Sequence, residues 1–224
     1  MISDDFLEKE NGNDVNKWTS ADHVATYLSK TAEKLPHREE IKNALLEQIP
    51  SNVNRILDLG TGDGRLLALL KLENPKVEGV GLDFSELMLK LARKRFAKDK
   101  LVKIIKHDLN VPLPATKLGC FDVIISGLAI HHLHHKRKKQ LYREIFDLLI
   151  QNGVFCNLEH VASPTESLHQ KFLTAVGLTP ETDDPSNKLL DVETQLQWLR
   201  EIGFYDVDCL WKWREIALLV GFKP

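Results

Sequence analysis

The densest chemistry in this chain lies between Arg55 and Gly64, read Arg-Ile-Leu-Asp-Leu-Gly-Thr-Gly-Asp-Gly. A short apolar run meets an acid, Asp58, and passes into a loop with glycine at positions 60, 62 and 64 and Thr61 between the first two. Glycine lets the backbone turn tightly and approach a ligand with no Cβ in the way. A loop built for phosphate relies on backbone N–H groups and a helix N-terminus, and a carboxylate beside it would repel the anion. Asp58 therefore favours a ligand that carries positive charge. The dinucleotide fingerprint needs a third glycine where this chain has Arg65, which argues against a nicotinamide-binding Rossmann domain.

Two further acids follow in comparable places. Asp83, with Phe84 beside it, ends a second apolar run 19 residues past Gly64. Ligands in doubly wound sheets bind outside the carboxyl ends of the strands, where Asp83 can accept from both hydroxyls of a ribose. Asp108, with Leu109 beside it, ends a third run and can accept from the exocyclic amine of an adenine. The bland alternatives are an acid complementing a helix dipole for Asp83 and a surface-turn carboxylate for Asp108. Three acids closing three successive strands say more together than apart. S-adenosylmethionine, with an ammonium, a sulfonium and an adenosine, fits them.

The elements that must hold these residues alternate. Strands are expected at 56–59, 77–82, 102–105, 121–126 and 154–158, the last entered by a turn at Asn152-Gly153. Helices are expected after Gly64, after Ser85, and over the segment where Leu141, Ile145, Leu148 and Leu149 share a face. Nearly all-apolar strands alternating with helices imply a parallel sheet covered on both faces. Asp191 caps a helix running through Arg200, with Gly203 closing it. Two strands, 205–211 and 216–222, then follow with no room for a crossover, so they must pair antiparallel. The fold class expected is α/β: a doubly wound, Rossmann-like, seven-stranded, mostly parallel sheet with an antiparallel C-terminal hairpin. Around it come a mobile polar tail at 1–17, an N-terminal helical lid at 18–50 with Ser20 as N-cap, and a helical insertion at about 164–190 within the 51–224 domain.

The chain has 224 residues, a formal net charge of -2, and 43% hydrophobic and 28% charged residues. That describes one globular domain with no global field for nucleic acid or an anionic membrane. Three scattered cysteines, an acidic N-terminus and apolar runs too short to span a bilayer point to a cytoplasmic protein. A monomer or homodimer is expected.

On the motifs Ile56–Gly64, Gly79–Asp83, His107-Asp108-Leu109, Phe121–Ser126, His131-His132-Leu133 and Leu149–Gly153, the chain resembles class I S-adenosylmethionine-dependent methyltransferases over residues 55 to 222. The resemblance implies that Asp58, Gly60, Thr61, Gly62, Gly64, Asp83, Phe84, Asp108, Leu109, Gly127 and Leu128 line the cofactor site. The ending Glu159–Pro164, the stretch Asp184–Asn187 and Trp211–Arg214 look like an uncharacterised branch of that family, which names no substrate.

Arg38 is a candidate for gripping the methionine carboxylate bidentately. Methyl transfer needs alignment and exclusion of water, and a base only where the acceptor must lose a proton. His132, His160 and Glu159 stand at the right edge of the sheet for facing an acceptor. The histidine run 131–135 invites a metal reading, but no third or fourth ligand converges on it in sequence, so no metal is expected. Lys136-Arg-Lys-Lys139 reads as a solvated helical face, or alternatively as a phosphate contact for RNA. Trp18, Tyr27, Trp198, Trp211 and Trp213 could wall a pocket. Absence of an Asn-Pro-Pro-Tyr loop after the fourth strand and of a Pro-Cys pair leaves a small organic acceptor as the leading class, entering between the N-terminal helices and the insertion. An RNA (tRNA) methyltransferase and a non-catalytic S-adenosylmethionine-binding protein are the alternatives.

Overall fold

The computed structural model describes residues 36–224. Ser20, Trp18, Tyr27, the expected tail and most of the expected lid lie outside the described residues. Seven strands, β1 (Arg55–Leu59), β2 (Glu78–Asp83), β3 (Val102–Lys106), β4 (Phe121–Gly127), β5 (Leu149–His160), β6 (Tyr205–Trp213) and β7 (Ile216–Phe222), form one sheet in the order β3-β2-β1-β4-β5-β7-β6. The first five run parallel, and β7 is antiparallel to both β5 and β6. Strand order reverses between β1 and β4. In an open α/β sheet that reversal opens the crevice where ligands bind.

The helices are α1 (Arg38–Leu46), α2 (Arg65–Glu73), α3 (Glu86–Arg95), α4 (Ala115–Leu118), α5 (His135–Leu148), α6 (Glu166–Ala175) and α7 (Val192–Ile202). Alternation along β1 shows how the sheet acquires two cores. Ile56 joins Ile41, Leu45, Leu67, Leu70 and Phe172 on one face, the face of α1, α2 and α6. Leu57 and Leu59 join Leu141, Tyr142, Ile145, Leu196 and Leu199 of α5 and α7 on the other. Both cores are built mainly of buried apolar side chains, and their packing holds the strand ends that carry the loops beyond them.

Two local expectations change. Asn152-Gly153 does not separate helix from strand: β5 already starts at Leu149, and pairing with β4 jumps from Phe121↔Leu149 to Val123↔Val154. The extra residues form a bulge in which Asn152 takes a left-handed φ of 60°, a conformation asparagine tolerates better than most residues. The basic run at the start of α5 is not a solvated face. Arg137 and Lys138 are buried, and only Lys136 of the four is fully exposed. The described part of the expected lid, α1, packs beside β6 and β7, where Trp211 Nε1 donates to Glu40 and the His37 ring meets Trp213 at 5.3 Å. Asp191 does cap α7, its side chain accepting from Thr194 N–H at 2.8 Å, and Gly203 ends that helix at φ 119°.

Candidate active site

A cavity of about 220 Å³ opens at the carboxyl ends of β1, β2, β3 and β4. The loop after β1 forms its floor. Gly60 sits at φ +69°, and a Cβ there would lie 2.2 Å from the Cβ of Ala129, in the loop after β4. The two loops flanking the strand reversal therefore touch, and only glycine permits it. Gly62, at φ +55°, is the opposite case: a Cβ there would meet nothing within 4 Å. The space it leaves is the cavity's, a cradle that a side chain would fill.

The acids are arranged around this loop. Asp58 is buried beneath it and accepts from the Thr61 hydroxyl at 2.6 Å. Burial pushes its carboxyl up to about 7, with the Thr61 bond opposing and the nearby charge of Asp83 adding to the rise. Asp83 takes one N–H on each oxygen, Gly62 N–H on Oδ2 and Ser85 N–H on Oδ1, both at 2.8 Å. It thus ties the glycine loop to the start of α3 while both oxygens keep acceptor capacity for two hydroxyls. Burial raises its carboxyl above the ordinary range. Asp108 accepts on Oδ1 from the backbone and side-chain N–H groups of Asn110, which shapes the turn after β3.

Most of the residues expected at the site come together. Asp58, Gly60, Thr61, Gly62, Asp83, Phe84, Asp108, Leu109, Gly127, Leu128 and His132 line the cavity. Gly64 does not; it is the left-handed N-cap of α2, with a Cβ position only 2.6 Å from the Phe96 ring. Arg38 is exposed on α1 and lines no part of the cavity. His160 and Glu159 are also outside it. His160 Nε2 pairs with Glu215 at 3.0 Å, and its ring lies 5.1 Å from Phe172. Glu159 is fully buried and accepts from His131 N–H, His131 Nδ1, His160 N–H and Asn157 Nδ2. Burial alone would raise its carboxyl, but the bonds and charge of His131 hold it below the usual range. This buried carboxylate fixes the chain after β4 against β5, one residue from the cavity wall. Of the tryptophans, Trp211 and Trp213 belong to the α1 face and Trp198 lies under Lys139.

The structure adds Asp63, Arg65, Leu66, Met88, His107, Asn110, Ala129, Leu133 and Ser186 to the cavity wall. Ser186 comes from the 164–190 segment, strapped to α5 by His135 Nε2 against Leu189 O at 3.2 Å and by Lys138 Nζ on Lys188 O. No sequence pattern announces that crossing. His107 stood in plain view beside Asp108. Its Nε2 is buried without a hydrogen-bond partner among the described residues, a cost that a ligand with a complementary polar atom would relieve. That orphaned nitrogen, the Gly62 cradle and the open acceptor capacity of Asp83 and Asp108 together fit a nucleoside.

His132 holds the opposite wall. Ser186 Oγ donates to Asp184 Oδ1 at 2.8 Å and lies 3.1 Å from His132 Nδ1. With its proton committed to Asp184, Ser186 Oγ accepts from Nδ1–H, which leaves the lone pair of His132 on Nε2. Burial, reinforced by the neighbouring His131, pulls the imidazole down to about 3. Among the described residues no three His, Cys, Asp or Glu side chains converge to hold a metal ion.

Comparison with known proteins agrees with this geometry. The chain is 22% identical over 195 residues to a carboxy-S-adenosyl-L-methionine synthase from Nautilia profundicola, covering 80% of this chain and 81% of that protein. Among solved structures it superposes on the S-adenosylmethionine-dependent methyltransferase SibL with a TM-score of 0.64 at 21% identity, and covers 88% of this chain. Human N-acetylserotonin methyltransferase in complex with S-adenosylmethionine matches with a TM-score of 0.65 at 16% identity over 92% of this chain. The chain spans 62% and 57% of the lengths of those two proteins, so these likenesses bear on the fold alone. A family model described as a methyltransferase domain matches residues 51–199, and the chain belongs to the class I S-adenosylmethionine-dependent methyltransferases.

Proposed function

We propose that this methyltransferase acts on a small organic acceptor held between the loop after β4 and the 183–190 strap. One observation carries the reading: a single cavity joins the acid-rimmed nucleoside side to a wall made of Leu128, Leu133, His132 and Ser186. S-adenosylmethionine, when bound, supplies a methyl group on a sulfonium that is its own leaving group. Asp83 would take the ribose hydroxyls, Asp108 and His107 the adenine, and the Gly60–Gly62 loop the methionyl part. The buried Asp58 would face the cationic end of that ligand. The chain's own contribution is alignment and exclusion of water rather than bond-making by a side chain.

His132 orients the acceptor. A group held down near 3 stays neutral at physiological pH and presents Nε2 as a hydrogen-bond acceptor. It is too weak a base to carry a proton away from an alcohol, but it can fix the direction of an O–H or N–H while the attacking lone pair lines up. Asp184 and Ser186 set its tautomer.

The RNA alternative loses its sequence support. Arg137 donates to Leu109 O, Val111 O and Glu144, and Lys139 pairs with Glu201 at 2.8 Å. Similarity to carboxy-S-adenosyl-L-methionine synthases makes a carboxylated sulfonium a second product to look for. Incubating the protein with S-adenosylmethionine and a metabolite extract, followed by mass spectrometry, tests these readings together. A methylated small molecule whose formation drops at least tenfold in His132→Ala supports the proposal. Salt-sensitive methylation of tRNA, or intact S-adenosylmethionine despite tight binding of its demethylated product, would defeat it.

A further inference from the structure

Arg65 is the one Lys or Arg side chain lining the cavity among the described residues; the other charged groups there are Asp58, Asp63, Asp83 and Asp108. Its Nε donates to both oxygens of Asp63, at 3.1 and 2.9 Å. Asp63 is already compensated from outside the cavity, because Arg95 Nη2 donates to Asp63 Oδ2 at 2.7 Å and Arg95 Nε to Asp63 O at 2.8 Å. Two guanidinium groups share one carboxylate, so this rim carries a net positive charge in a cavity otherwise acidic. Among the described residues nothing accepts from Nη1 or Nη2 of Arg65, and the side chain keeps 38% of its exposure. A fork held in place through Nε, with both Nη groups uncommitted, is preorganised for a planar anion.

We propose that Arg65 is a carboxylate-binding residue of this site, engaging one carboxylate through its Nη groups. This rests on the methyltransferase reading above. A phosphate is disfavoured because a dianion would meet one net positive charge with Asp63 in the same fork and Asp58 and Asp83 across the loop. Two ligands can bring the carboxylate: the aminoacyl end of the cofactor, which the adjoining glycine loop would place nearby, or an acidic acceptor.

Calorimetry on wild type, Arg65→Gln and Arg65→Lys separates them, using S-adenosylhomocysteine, 5′-methylthioadenosine, which lacks the aminoacyl end, and benzoate added to the homocysteine complex. If the cofactor is the source, Arg65→Gln weakens S-adenosylhomocysteine about tenfold or more, leaves 5′-methylthioadenosine unchanged, and Arg65→Lys recovers part of the loss. If the acceptor is the source, S-adenosylhomocysteine binds all three proteins alike, and benzoate binds the wild-type complex but not the Gln variant. Equal behaviour of wild type and Arg65→Gln toward all three probes overturns the proposal. Failure of wild type to bind either nucleoside would instead overturn the site assignment on which it rests. Because Asp63 retains Arg95, the Gln variant keeps its loop partner, and an unchanged melting temperature verifies that the loop is intact.

Discussion

Asp58 makes the sharpest prediction because its carboxyl sits near the pH of the assay. In the free protein burial raises it to about 7, so at pH 7 about half the molecules hold the proton. A cationic ligand favours the ionised form and lowers the pKa on binding. S-adenosylmethionine should therefore release about half a proton at pH 7 and almost none above pH 9. Affinity should rise with pH and level off above about 7. At pH 5 only about one molecule in a hundred is ionised, so the affinity lost relative to the plateau is at most about 100-fold, or about 3 kcal/mol. The assay is calorimetry between pH 5 and 7.5 in buffers of differing ionisation enthalpy. S-adenosylhomocysteine, which lacks the sulfonium charge, should show a smaller dependence, and Asp58→Asn should abolish it while keeping an acceptor for Thr61. The neighbouring charges are Asp83 and Asp63, and Asp58→Asn alters neither of them. The sign also governs stability: a carboxyl raised on folding destabilises the fold increasingly from its unfolded value near 4 up to about 7. Asp58→Asn should thus melt higher than wild type at pH 8. A flat affinity profile with no proton release would refute the reasoning.

Other consequences follow from the same contacts. Gly60→Ala places a Cβ 2.2 Å from Ala129 at a positive φ, so it should cost more than the ~1–2 kcal/mol of the backbone strain alone and lower the melting temperature markedly. Gly62→Ala meets no protein atom within 4 Å; it should cost only about that strain yet abolish S-adenosylhomocysteine binding, which calorimetry reads directly. Tyr142→Phe removes the 2.6 Å bond to Gln195 in a buried network with Asn157, for a loss of about 1–3 kcal/mol in denaturant unfolding with no change in nucleoside affinity. Ser186→Ala should reduce turnover without weakening S-adenosylhomocysteine, since it loosens His132 and not the nucleoside side.

How much was legible depends on distance along the chain. The glycine loop, the three strand-ending acids, the parallel alternation and the final hairpin are local patterns. Period, turn chemistry and the impossibility of a crossover between 211 and 216 suffice to place them. In the sequence Arg65 counts only as the residue that replaces the third glycine of a dinucleotide fingerprint. Its charge acquires a role through the fold, because Arg95, 30 residues on, already pairs with Asp63. His160, Glu159 and Arg38 lie outside the cavity for the same reason in reverse. Their sequence positions at the right strand ends or helix say nothing of side-chain partners, and Glu215 and His131 claimed two of them.

By itself, then, the amino-acid sequence determined the sheet, its arrangement of strand ends and the side of the cavity built by the glycine loop and the strand-ending acids, because each is written within one strand–loop–helix unit. Only the tertiary structure decided the opposite wall: which histidine faces the cavity, that Ser186 reaches it from a distant loop, and that Arg137 and Lys138 of the basic run on α5 are buried inside the protein. Those outcomes depend on competition among long-range partners for the same hydrogen bonds, and no spacing along the chain encodes who wins.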